Sequence, residues 1–234
     1  MMKEIQFNYQ SLKQCVKDYL KEQMEGGTLN PGERIDEKDL REKLNVSRTP
    51  IREALIELET EGFVEIIPRK HIIVKKLTEK EIHDMFQMIG TLEAEAAASV
   101  AARLTDEEYA RFERLFQEMT ASHERGDFKE YCNLNIAIHS FFIEAYGNDI
   151  FKKTIGQLKE RLWEFPKILI DIPEWEKILI EDHRKLLELF KKRDSEGVRR
   201  LLKDKHWNYK RSSSFLKQVF SLCKIESEIA RTSL

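Results

Sequence analysis

The sequence predicts a mostly α protein in two parts: an N-terminal winged helix-turn-helix over residues 1–77 and an all-α antiparallel helical bundle over 78–234. Three observations carry that prediction. Apolar residues recur at helix spacing through most of the chain, and only 9 Gly and 5 Pro interrupt 234 residues. Where the helix period breaks, near residues 63–74, two short β-branched runs flank a turn sequence.

Leu12, Val16, Leu20 and Met24 lie four apart and predict a first helix, which Gly26-Gly27 stops. Leu29-Asn30-Pro31-Gly32 is a turn, since proline presets φ and glycine accepts a positive φ. Asp36 can cap a short helix carrying Leu40 and Leu44, and Ser47 can open the next, with Pro50 tolerated in its first turn. Ile51, Leu55 and Leu58 line one face of that helix, so Arg48, Thr49 and Arg52 point outward, and Gly62 ends it. Residues 63–67 and 72–74 then form a hairpin around Pro68-Arg69-Lys70-His71.

The boundary between the parts falls near 76–78. Thr78 with Glu81, and Thr105 with Glu108, have capping-box spacing and mark helix starts. Segments 79–103, 106–124, 128–146, about 150–170, 175–192 and 195–222 are helix-periodic with short polar breaks, which predicts about six helices. The last dozen residues are expected to fray.

Composition narrows the function classes. With 35% charged and 41% hydrophobic residues the chain is a folding one and not a disordered one. No apolar run approaches the roughly 18 residues that span a bilayer, and residues 1–9 lack an apolar leader core, so the expected location is cytoplasmic with no membrane partner. Cys15, Cys132 and Cys223 form no CxxC pair, which argues against a disulfide framework and a thiolate zinc site. Net charge is −2, but residues 38–52 hold five basic side chains (Lys38, Arg41, Lys43, Arg48, Arg52) against two acidic ones. That local excess sits where a nucleic-acid reading helix would be.

Polar residues interrupt two apolar stripes of the second part. Asn135 and His139 lie one turn apart within Phe128, Cys132, Phe142 and Tyr146, and His183 interrupts Trp175, Leu179, Leu186 and Phe190. Buried there, they need partners, whether a hydrogen bond or a ligand. His71, His83 and His123 read as surface residues.

The run Gly27-x-Leu29-x-Pro31-Gly32-x-Arg34-Ile35, with Leu40, Leu44, the stretch Val46-Ser47-Arg48-Thr49-Pro50-Ile51-Arg52-Glu53-Ala54-Leu55, Leu58 and Glu61-Gly62-Phe63-Val64, resembles the DNA-binding head of GntR-family regulators. Leu92-Glu93, Ala101-Ala102, Asn135-x-x-x-His139, Gly147-Asn148 and Glu181-Asp182-His183-Arg184 resemble the FCD branch of that family, whose C-terminal domain is FadR-like. The resemblance implies a sequence-specific transcription regulator and not an enzyme, acting as a homodimer on palindromic double-stranded operator DNA and answering to a small-molecule effector, expected to be a carboxylate. It implies DNA contacts at Lys38, Ser47, Arg48, Thr49, Arg52 and Lys70. A helix N-terminus, hydroxyls and arginine forks suit phosphates and guanine edges. It also implies a divalent metal, zinc or nickel, held by Asn135, His139, His183 and His206.

Three positions depart from the family pattern. Asn135 replaces an aspartate. His206 follows His183 by 23 residues, one more than the family spacing; one residue turns a helical side chain by about 100°, which would favour Lys205 at the site. At the wing tip His71 follows Lys70 where the family has glycine, so a positive φ there would be strained. Two rival readings remain: a metal-dependent hydrolase or lyase on the bundle, for which no general base is evident near Asn135 or His183, and a metal-free regulator sensing an acyl or apolar ligand.

Overall fold

The computed structural model describes residues 11–163 and 172–218, excluding the Trp163 side chain. The predicted helix ends near 170 and 222, the fraying terminus and Cys223 fall outside the described residues. Contacts divide the chain into two compact units, with the division between Leu77 and Thr78.

The first unit contains α1 (Leu12–Glu25), β1 (Arg34–Ile35), α2 (Glu37–Leu44), α3 (Arg48–Thr60), β2 (Val64–Ile67) and β3 (His71–Val74). Ser11 caps α1 by accepting from Gln14 N, and Asp36 caps α2 by accepting from Lys38 N and Asp39 N. Asn45, at φ 50°, turns the chain sharply between α2 and α3. Leu20, Ile51, Leu55, Leu58, Val64 and Val74 are buried in the common core. Each large side chain so buried contributes about 1.5–3 kcal/mol. Beside it, Lys17 of α1 reaches Glu57 at 2.6 Å and Glu61 at 2.5 Å on α3, and Lys13 adds a second contact to Glu57 at 2.6 Å. Lys13 and Lys17 together hold the Glu57 carboxyl at about 2.

The sheet order is β1-β3-β2, antiparallel throughout, with Val64 opposite Val74 and Ile67 opposite His71. Sequence periodicity misses β1, because two residues are too short to show alternation. Its place is set by backbone bonds from Gly32 N to Val74 O and from Val74 N to Glu33 O. The wing also corrects an expectation. The left-handed residue is Arg69, at φ 60°, and not His71, which already belongs to β3. Lys70 N donates to Ile67 O, so Pro68 and Arg69 occupy the central positions of a turn with the type II pattern.

The second unit contains α4 (Glu79–Ala101), α5 (Asp106–Glu124), α6 (Phe128–Tyr146), α7 (Asp149–Trp163), α8 (Pro173–Lys191), α9 (Ser195–Leu201) and a π-helical turn (Leu202–His206). Both capping boxes are present. Ala94, Ala97, Ala98 and Ala101 give α4 a small-residue surface that lets α6 and α9 pack close. Phe112, Phe141 and Phe190 join α5, α6 and α8 through ring contacts of 5.2 and 4.8 Å.

The segment predicted as one helix from 195 is interrupted. After the π turn, Trp207 N donates to Leu202 O, and helix resumes at 209–218. Asn208 Oδ1 accepts from Arg211 N and so starts a new helix where an unbroken one was expected.

Candidate nucleic-acid interface and metal centre

The N-terminal unit places its candidate contact residues on exposed backbone ends. Ser47 has the extended dihedrals of an N-cap, φ −72° and ψ 170°, but its hydroxyl makes no bond to the helix it opens. Arg48 and Arg52 follow on α3, 67% and 65% exposed. Glu37, at the start of α2, stands 3.5 Å from Arg48 Nε and 3.9 Å from Arg52 Nε, so one carboxylate draws the two arginines together. Lys38 and Thr49 are exposed, and Lys70 is exposed on the separate element of the wing tip. Glu37 was missed by sequence reasoning, since nothing in its spacing from Arg48 marks the contact.

The second unit brings together residues from three elements: His139 on α6, His183 on α8 and His206 at the end of the π turn. They are 3%, 0% and 7% exposed. Their ligating atoms all lie within 4.8 Å of one another. The π turn supplies the answer to the spacing problem. Its wider loop absorbs one extra residue, so His206 faces inward while Lys205 stays exposed. The expectation that the 23-residue spacing would favour Lys205 is corrected on that ground.

The donor set fits a divalent transition metal. His139 Nε2 and His183 Nε2 are 3.3 Å apart. With metal–nitrogen bonds of about 2.0–2.1 Å, tetrahedral geometry requires about 3.3–3.4 Å between ligand nitrogens. Burial drives His139 down to about 4, against the pull of Glu93, and burial first and the neighbouring imidazoles second drive His183 far below its usual value. Both rings are therefore neutral near pH 7, the form that offers a lone pair to a metal. Asn135, one turn before His139, has a buried Oδ1 with no hydrogen-bond partner. An unpaired buried carbonyl oxygen one helical turn from His139 is the kind of donor a fourth metal ligand supplies.

Carboxylates stand behind two of the histidines. Glu93 Oε2 is 2.7 Å from His139 Nδ1. Asp182 Oδ2 is 3.6 Å from His206 Nδ1, and Asp182 is gripped by Arg211 at 2.5 and 3.1 Å. Burial pushes the Asp182 carboxyl up, but His206 and Arg211 outweigh it and hold it below the usual carboxylate range. Asp182 and Glu93 appear in the sequence only as parts of family motifs. Their signal was the one used for His139, a polar residue inside a buried stripe. His123 was misread as a surface residue: it is half-buried, with Nδ1 2.8 Å from Glu176 Oε2. His83 contacts Asp84 at 3.5 Å and the Tyr209 ring edge-on.

A winged helix-turn-helix with an outward basic helix end, followed in the chain by a helical bundle holding a buried cluster of three histidines, defines a class of protein: a DNA-binding transcription regulator with a helical C-terminal domain. The family model for bacterial regulatory proteins of the gntR family matches residues 12–74, and that for the FCD domain matches residues 84–205. The chain belongs to the GntR family of bacterial transcription regulators, in the branch that carries an FCD domain.

The HTH-type transcriptional regulator McbR of Escherichia coli (strain K12) is 28% identical over 194 residues, spanning 82% of this chain and 88% of that protein. The HTH-type transcriptional regulator YdhC of Bacillus subtilis (strain 168) is 29% identical over 182 residues, spanning 77% and 81%. The solved structure of E. coli McbR/YncC superposes with a TM-score of 0.61 at 26% identity, over 94% of this chain and all of that one. A putative GntR regulator from Rhodococcus sp. RHA1 shares the fold, with a TM-score of 0.65 at 17% identity over 87% of this chain and 97% of that one. The family models and the McbR and YdhC relatives are those of transcription regulators, which sets aside the hydrolase or lyase reading. No helix among the described residues is long and apolar enough to cross a membrane.

Proposed function

We propose that this regulator works as a homodimer whose two winged helices read a short palindrome, and that a small carboxylate effector bound through a metal in the bundle changes its grip on DNA. The convergence of three buried imidazoles supports this reading above any other feature. His139, His183 and His206 hold zinc or nickel, with Asn135 Oδ1 as a fourth, weaker ligand. The effector's carboxylate displaces the weak Asn135 Oδ1 or adds as a fifth ligand, an expansion that zinc allows.

At the head, Arg48 and Arg52 grip base edges, Ser47 and Thr49 bond phosphate, and Lys38 and Lys70 neutralise the backbone. A dimer is required because half-sites one DNA turn apart need a twofold protein. An effector acts only if it binds the two head arrangements with different affinity.

Selection of bound duplexes from a random pool tests the reading. It is expected to enrich a palindrome with half-sites about 10 base pairs apart, and metal-chelating carboxylates are expected to shift affinity for that duplex only when the ion is present. Enrichment of asymmetric sites, or effector responses indifferent to metal removal, contradicts it.

A further inference from the structure

A carboxylate removed from water is costly unless donors surround it. Glu93, midway along α4, has no exposed surface and meets donors from three other segments. Its Oε2 lies 2.7 Å from His139 Nδ1 on α6 and 2.7 Å from Trp207 Nε1, just after the π turn. Its Oε1 is ion-paired with Lys159 of α7. The approach of Trp207 depends on Gly90, one turn earlier on α4, because a Cβ there would stand 2.6 Å from Trp207 Cβ.

These contacts fix a direction. An ionised carboxylate only accepts and an indole N–H only donates, so the bond to His139 must run from Nδ1–H to Glu93. A neutral imidazole carries one N–H. Nε2 is then left with its lone pair, and Nε2 is the atom that faces His183 at 3.3 Å.

We propose that Glu93 is the positioning residue of the histidine centre: its carboxylate locks His139 in the Nδ1–H tautomer, makes Nε2 the ligand atom, and ties the centre to Trp207 through the same oxygen. The proposal deepens the metal reading and rests on it for its ligand role. Lys159 keeps the carboxylate charged. The indole, 5.9 Å from the His139 ring and 5.7 Å from the His206 ring, reports occupancy by its fluorescence.

The test uses the full chain, labelled with nitrogen-15 in histidine, without metal and then titrated with zinc. The expected result is an Nδ1-protonated, Nε2-unprotonated His139, assigned by loss of its signals in His139→Asn, and a zinc-dependent emission change that Trp207→Phe removes. Glu93→Gln combined with Lys159→Met removes both charges with little change of shape. It is expected to lose the fixed tautomer and weaken zinc binding by about 10–100-fold, while thermal unfolding shows the variant still folded. An Nε2–H tautomer in the parent protein overturns the proposal, as does a folded double variant with parental tautomer and zinc affinity. If the parent protein takes up no zinc, the metal reading fails, and the tautomer comparison on metal-free protein still decides whether Glu93 orients His139.

Discussion

In the N-terminal unit, Arg48 and Arg52 stand about two-thirds exposed on a single helix, while in the bundle His139, His183 and His206 are buried on three separate elements. The head keeps its chemistry outside its core, so Ile51, Leu55 and Leu58 can hold α3 without regard to what its other face reads. The bundle builds its centre into the core itself. Substitution at the head should therefore change binding without folding, whereas substitution at the centre should change both.

The largest expected effect is at the centre. His139→Ala with His183→Ala should abolish stoichiometric zinc or nickel uptake, measured by calorimetric titration, and leave DNA binding measurable. Retention of the ion would remove these residues from the ligand set.

At the head, Arg48→Ala should weaken binding to a selected duplex by about 1–3 kcal/mol, with thermal stability changed by no more than about 0.5 kcal/mol. A large stability loss would break the separation of surface from core.

The ion-pair cluster between α1 and α3 sets the acid limit of the head. Glu57 is held at about 2 against an ordinary 4.5, so its contribution is complete above pH 4.5 and is lost as pH falls from there toward 2. Glu57→Gln should flatten that part of the unfolding curve, followed by circular dichroism between pH 5 and pH 2. An unchanged slope would assign the acid sensitivity elsewhere.

The smallest effect sharpens the account of the π turn. Deleting Lys203, an exposed residue inside it, should convert the turn to ordinary α-helix with His206 still facing inward, and zinc affinity should change less than tenfold. Loss of binding would mean that the π turn does more than absorb a residue.

The head was legible in the sequence because its caps, its core stripe and its outward arginines all lie within one continuous run, residues 36–62. Each could be read from local spacing. The bundle's helices were legible for the same reason, down to the capping boxes at Thr78 and Thr105.

Whatever depends on distant partners was not. His206 looked one residue out of place because a uniform 3.6-residue period cannot anticipate a π turn. Glu93 could be noticed only as a polar residue inside a buried stripe, and its role stayed hidden because its donors lie 46, 66 and 114 positions away, at His139, Lys159 and Trp207. Lys70 and His71 suggested a strained wing because the sequence does not show that Pro68 moves the left-handed residue to Arg69.

Elemental analysis by mass spectrometry of the full chain, purified without a histidine tag or chelator, bears most directly on the proposed centre. About one zinc, nickel or similar ion per chain, lost in His139→Ala with His183→Ala, is the predicted result. Protein that carries no ion and takes none up on titration would contradict it, and would recast the three histidines as a metal-free pocket for an acyl or apolar effector.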